Sequence, residues 1–176
     1  MSFSDPSHTI AQFDLQSGAH VADLGAGSGA LTFAASRAVG GAGRVYAIEV
    51  QKDLLERLKN SARHERLHNI EALWGDVERV QGTHLKTATL DAAIASNVLF
   101  QVEDREGFAK EIARILKPAG KVLLIDWSGS FGGTGPRSDH VVPEQTARLL
   151  FEQQGFRFVR SIQAGAHHYG LIFKRT

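Results

Sequence analysis

The amino-acid sequence predicts an α/β fold, a doubly wound sheet of seven strands, mostly parallel and finished by a C-terminal antiparallel hairpin. Three observations carry this. Short β-branched or apolar runs alternate with stretches whose apolar residues recur at helical spacing. Several of the early runs close on an acid followed by a turn, at Asp23, Glu49 and Asp76. The last two runs are joined by only a few residues, QAGAH, and a connection that short demands antiparallel pairing.

Taken in order, residues 1–19 form a short helical or irregular lead-in, expected near the mouth of a site. An opening strand covers His20 to Leu24, and a helix runs from about Ser28 to Val39, ended by Gly40, Gly41 and Gly43. RVYAIE, Arg44 to Glu49, has the β-branched and aromatic content of a buried strand. From Lys52 to about Leu67, Leu55, Leu58 and Ala62 mark an amphipathic helix, with Asp53–Arg57 and Glu56–Lys59 pairs on its wet face. Strands follow at Ile70 to Trp74 and Leu90 to Ser96. Phe108, Ile112, Ile115 and Leu116 mark a further helix, stopped by Pro118 and Gly120 before the strand KVLLIDW. Residues 128–142 contain Gly129, Gly132, Gly133, Gly135 and Pro136 and read as an irregular loop, a slack connection or a cover for a substrate. Pro143 opens the last helix, which Gly155 stops; Phe156, Phe158 and Ile162, then Tyr169, Leu171 and Phe173, alternate in the hairpin.

With 176 residues, 43% of them hydrophobic, the chain suits a single domain, 1–176, with a sizeable core. A formal charge of +1 provides no global basic field for nucleic acid. The absence of cysteine excludes disulfides, thiolate metal sites and cysteine nucleophiles. MSFSDPSHTI lacks a charged and then apolar leader and no run approaches a membrane span, so a cytoplasmic protein is expected.

The stretch VADLGAGSGALT, Val21 to Thr32, organises the rest. Strand, glycine turn and helix start leave unpaired backbone amides where a ligand can approach closely. Gly25, Gly27 and Ala30 also satisfy the dinucleotide pattern G-x-G-x-x-G/A, with Glu49 where a ribose-binding acid belongs, so a nicotinamide-dependent oxidoreductase is one reading. Parallel strands bring Asp23, Glu49 and Asp76 to one sheet edge, and three carboxylates suit a ligand offering an ammonium, a diol and an amine. Asp23 beside the first turn would repel a pyrophosphate and attract a sulfonium amino acid, which favours S-adenosylmethionine.

Over almost its whole length the chain resembles the class I S-adenosylmethionine-dependent methyltransferases. VADLGAGSG, RVYAIEV, LWGDV, LDAAIASNVLFQV and RILKPAGKVLLIDW look like their five motifs in order, and within that superfamily the chain is most similar to small proteins near the quinone-biosynthesis C-methyltransferases. The resemblance implies a Rossmann-like domain. It implies that Asp23 and the turn Gly25, Ala26, Gly27 and Gly29 hold the methionine part of S-adenosylmethionine, and that Glu49 takes the ribose. It further implies that Val50 packs on adenine, that Asp76 and the Val77 backbone read its amino group, and that Asn97 lines the methionine end.

The acceptor is expected to be a small molecule, with RNA or protein as alternatives. SNVLF lacks the Asn-Pro-Pro-aromatic signature of amino-directed DNA methyltransferases, and the absence of cysteine argues against cytosine C5 methylation. In-line placement in a dry pocket can suffice for methyl transfer, so a general base is optional. Candidates for one are Asp126, expected to face the crevice, with His168 and His8; His140 and His167 are further histidines near neutrality. No metal ligand set is expected, since no tight spacing such as H-x-x-x-H occurs. A non-catalytic module that binds the same cofactor is a third reading.

Overall fold

A computed structural model of the chain describes residues 5–176. Helix α1 (Pro6–Phe13) precedes β1 (His20–Leu24), α2 (Ala30–Val39), β2 (Arg44–Glu49), α3 (Lys52–His64) and β3 (Ile70–Trp74). Then come β4 (Leu90–Ser96), α4 (Arg105–Ile115), β5 (Leu116–Trp127), α5 (Glu144–Gln153), β6 (Phe156–Ile162) and β7 (His168–Arg175). One seven-stranded sheet results, in the order β3-β2-β1-β4-β5-β7-β6. The strands β1 to β5 pair parallel, and β7 lies antiparallel between β5 and β6. The five residues 163–167 reverse the chain without a crossover, so β7 alone runs against the rest.

Alternation along each strand feeds two cores. On one face Ala22, Leu24, Leu124 and Leu171 pack with Phe108, Ile112 and Phe151 of α4 and α5. On the other Val21, Val45, Ile94 and Leu123 pack with Ile10 and Phe13 of α1 and Ala34, Ala35 and Val39 of α2. Among the described residues no helix is long and apolar enough to cross a membrane.

Several boundaries differ from expectation for local reasons. Helix α2 starts at Ala30, because Gly29 is left-handed (φ 87°) and serves as its N-cap. Helix α3 ends at His64, since Glu65 leaves helical geometry and Arg66 is left-handed (φ 56°). Strand β5 already begins at Leu116: Leu90 pairs with Leu116 but Ala92 with Lys121, so Pro118 and Gly120 sit in a large irregularity where proline withholds no ladder bond. The loop 128–142 is more ordered than its glycine content suggests. Phe131 and Thr134 bridge across Gly132 and Gly133, and the buried Val142 carbonyl accepts from Tyr169 Oη at 3.1 Å. Gly135 lies flat on Trp127, where a Cβ would stand 2.6 Å from the ring.

Candidate functional site

Because the parallel strands share a direction, their C-terminal ends border one crevice. It is a cleft of about 480 Å³ between the turn after β1, the ends of β2 and β3, and the turn after β4. Asp23, Gly25, Ala26, Gly27, Glu49, Val50, Asp76, Val77 and Asn97 all line it; Gly29, at the start of α2, does not.

The glycine turn is held from below, with the Gly25 and Ala26 amides donating to the Ile48 carbonyl at 2.9 and 3.0 Å. Gly25 has φ 74°, and a Cβ there would meet Val98 Cγ2 at 2.5 Å, so both backbone and space require glycine. At Gly27 (φ 53°) a Cβ would find only the Gly25 carbonyl oxygen, at 4.0 Å. The left-handed backbone alone selects glycine here, and the face above it stays open to a ligand.

Glu49, 5% exposed, closes the turn against β2: Oε2 accepts from Gly27 N and Oε1 from Gln51 N, both at 2.9 Å. Asp23, 3% exposed, accepts from Thr32 Oγ1 at 2.6 Å. Burial raises its carboxyl pKa to about 6, opposed by the Thr32 bond and reinforced by the Glu49 charge. Two buried acids thus face the turn with, among the described residues, hydroxyl and amide partners alone, an arrangement that a bound cation would stabilise. Asp76 is half-buried; Oδ1 accepts from Glu78 N at 3.0 Å and Oδ2 pairs with Arg79 Nε at 3.1 Å. Asn97 is left-handed (φ 57°), its N–H donates to the Ile125 carbonyl at 2.9 Å, and its Oδ1 is buried without a hydrogen-bond partner among the described residues. An orphaned acceptor and a buried, proton-hungry acid fit a ligand that carries donors and positive charge.

The base candidates lie elsewhere. Asp126, expected to face the crevice, does not line it. Alternation along β5 puts the Asp126 side chain with Val122 and Leu124, on the opposite face from Asp23, beneath the turn after β4. There it is fully buried, Oδ2 accepting from Phe100 N at 3.1 Å and Oδ1 from Trp127 N at 2.7 Å. Burial raises its pKa to about 6 against these bonds and the Arg105 charge. His168 pairs across the sheet with Trp127, ring centroids 4.3 Å apart, and burial, then the neighbouring His167, push its pKa below the ordinary histidine value. His167 packs on Phe131 with ring centroids 4.1 Å apart, its Nδ1 buried and without a hydrogen-bond partner among the described residues. His8 is exposed on α1, and His140 is exposed in the loop. Nor does the lead-in reach the mouth with its described residues 5–19, apart from which residues 1–4 lie outside the description. Gln12 ties α1 to Gln163 after β6 by two bonds of 3.0 Å, on the α2 side of the sheet.

Sequence reasoning missed several contributors. Gln51, Glu78 and Gln101 line the cleft. Glu78 Oε2 accepts from Glu103 N at 3.0 Å, joining the turns after β3 and β4. Behind them Glu111 of α4, fully buried, accepts from Gln81 N and both Arg114 Nε and Nη2 at 2.7 Å, and from Thr83 Oγ1 at 2.5 Å. Its signal was present: an acid among Phe108, Ile112 and Ile115 on the apolar helix face, three residues before an arginine.

The family model described as "Methyltransferase domain" matches residues 15–155. The ubiquinone/menaquinone biosynthesis C-methyltransferase UbiE of Pseudoalteromonas translucida (strain TAC 125) is 31% identical over 124 residues, 68% of this chain and 47% of that protein. The demethylmenaquinone methyltransferase of Geobacillus sp. (strain WCH70) is 27% identical over 120 residues, 68% of this chain and 50% of that protein. The chain therefore spans about half the length of the curated relatives it matches. A solved SAM dependent methyltransferase from Aquifex aeolicus superposes with a TM-score of 0.88 at 27% identity, covering 99% of this chain and 90% of that one. The sheet order, the glycine turn with its strand-end acids and these likenesses together place the chain in the methyltransferase-domain family, with the Rossmann-like fold of class I S-adenosylmethionine-dependent methyltransferases.

Proposed function

We propose that this chain transfers a methyl group from S-adenosylmethionine to a small-molecule acceptor. The observation that carries the reading is the pair of buried acids, Asp23 and Glu49, beside an open glycine turn, with no cation among the described residues paired to either. Asp23 and the Gly25–Gly27 backbone would hold the aminoacyl end, Glu49 the ribose diol, and Val50, Asp76 and Val77 the adenine. Asn97 Oδ1 would accept from a donor at the methionine end. When bound, the cofactor supplies an electrophilic methyl on a sulfonium. The protein's own task is then to exclude water and to hold the acceptor in line with that methyl.

A carbon of a quinone precursor is the acceptor suggested by the relatives' names, and one feature supports a planar acceptor. Trp127 projects to the same sheet face as Ser96 and Asp23. With His168, whose ring centroid lies 4.3 Å from its own, it forms an aromatic pair beside the Ser96–Asn97 end of the cleft, suited to a planar ring. His168, beside Trp127 at the end of β5, remains our candidate for accepting a proton from the acceptor; His8, exposed on α1, does not reach the cleft, and Asp126 acts at most through the turn it supports.

Isothermal titration tests the cofactor reading. S-adenosylmethionine should bind, and NAD(P)H should not. Asp23→Asn and Glu49→Gln should each weaken binding by about 10-fold or more, the worth of a charge-assisted hydrogen bond. Binding of the nicotinamide alone would overturn the proposal. Radiolabelled methyl transfer to a metabolite extract, but not to RNA or protein pools, is the expected acceptor result.

A further inference from the structure

From the outer edge of the cleft we infer that Trp74 is a positioning residue for Glu49 and so tunes recognition of the ribose diol, an inference that rests on the cofactor reading above. Trp74 closes β3 and pairs in register with Glu49, which closes β2. Its side chain does not line the cleft; its indole Nε1 donates to the Val50 carbonyl at 2.9 Å, and its ring stacks on His84.

The carbonyl of Val50 and the N–H of Gln51 are the two ends of one peptide plane. Trp74 holds the carbonyl end, while the amide end donates to Glu49 Oε1 at 2.9 Å. The second oxygen of Glu49 accepts from Gly27 N at 2.9 Å. A continuous chain therefore runs from the sheet edge through one peptide to the carboxylate and on to the glycine turn. Without the indole N–H this plane loses its outer anchor, and the Gln51 N–H that fixes one oxygen of Glu49 is held less firmly. The peptide needs such an anchor from outside, because Val50 and Trp74 are 53% and 48% exposed and packing alone does not immobilise them.

Trp74→Phe removes the N–H and keeps a ring against His84. Because both partners are half-exposed, thermal unfolding of the variant should match the parent closely. The test is calorimetric binding of S-adenosylhomocysteine and of its 2′-deoxyribose analogue to the parent, to Trp74→Phe and to Glu49→Gln. In Trp74→Phe, affinity for S-adenosylhomocysteine should fall about fivefold, the worth of one neutral hydrogen bond. The penalty for deleting the 2′-hydroxyl should shrink in both variants relative to the parent, which a merely structural role for Trp74 would not produce. Equal affinity in Trp74→Phe, or an equal loss for both ligands, overturns the inference and leaves the function standing. Failure of the parent to bind S-adenosylhomocysteine overturns the function and this inference with it.

Discussion

Replacing Glu111 with alanine is expected to lower the free energy of unfolding by about 3–5 kcal/mol, the cost of breaking a buried ion pair from one side. The carboxylate is fully buried and Arg114 grips it through two nitrogens, so its loss strands a largely desolvated guanidinium. It also removes the acceptor for Gln81 N and Thr83 Oγ1, which hold the far end of the 75–83 turn whose near end, Asp76 and Val77, lines the cleft. Burial pushes this carboxyl upward, but the Arg114, Thr83 and Gln81 bonds outweigh it and hold its pKa below the ordinary glutamate value. The contribution is thus complete above the unfolded-state pKa and lost as pH falls through the lower folded-state value. Denaturant unfolding of Glu111→Ala, Arg114→Ala and the double variant would measure the coupling. A loss under about 1 kcal/mol, the worth of an exposed pair, would show that the network is not structural.

The contrast between Glu111 and Glu49 explains what the sequence made legible. Periodicity of two and of 3.6 locates strands and helices, and the direction shared by parallel strands is enough to bring Asp23, Glu49 and Asp76 to one cleft. That much follows from local patterns. Glu111 acts on a turn some 30 residues away, and Trp74 on a peptide 24 residues away, and no local spacing encodes those pairings. Asp126 illustrates a finer failure. Alternation within KVLLIDW puts Asp126 on the face of Val122 and Leu124, but only the pairing register with β4 and β1 shows that this face is the one opposite Asp23. The β5 irregularity was equally hidden: Pro118 reads as a helix stop, whereas it lies in the entry to a strand whose register shifts around it.

Asp126→Asn should change the pH dependence of stability by about 2 kcal/mol between pH 4 and pH 7.5. The carboxyl pKa is about 6 in the folded protein against an ordinary aspartate value of 3.8. With the folded value raised, the folded state binds the proton more tightly. The associated stability is present below 3.8 and is lost as pH rises through 6, so the parent carries the full cost of a buried carboxylate near neutrality. The amide cannot ionise and does not pay it. At pH 4 the variant should be the weaker protein, because the Phe100 and Trp127 amides meet two different oxygens and asparagine offers one. The gap should close, and can reverse, by pH 7.5. Asp23 has the same sign and a pKa also about 6, but it is common to both proteins and cancels in the comparison. Denaturant melts across this range give the difference directly, and parallel curves would mean that Asp126 does not titrate there. The same variant addresses chemistry: because the carboxyl lies outside the cleft and reaches it only through the turn at Phe100, methyl transfer should persist at pH 7.5, whereas a direct proton acceptor would abolish it.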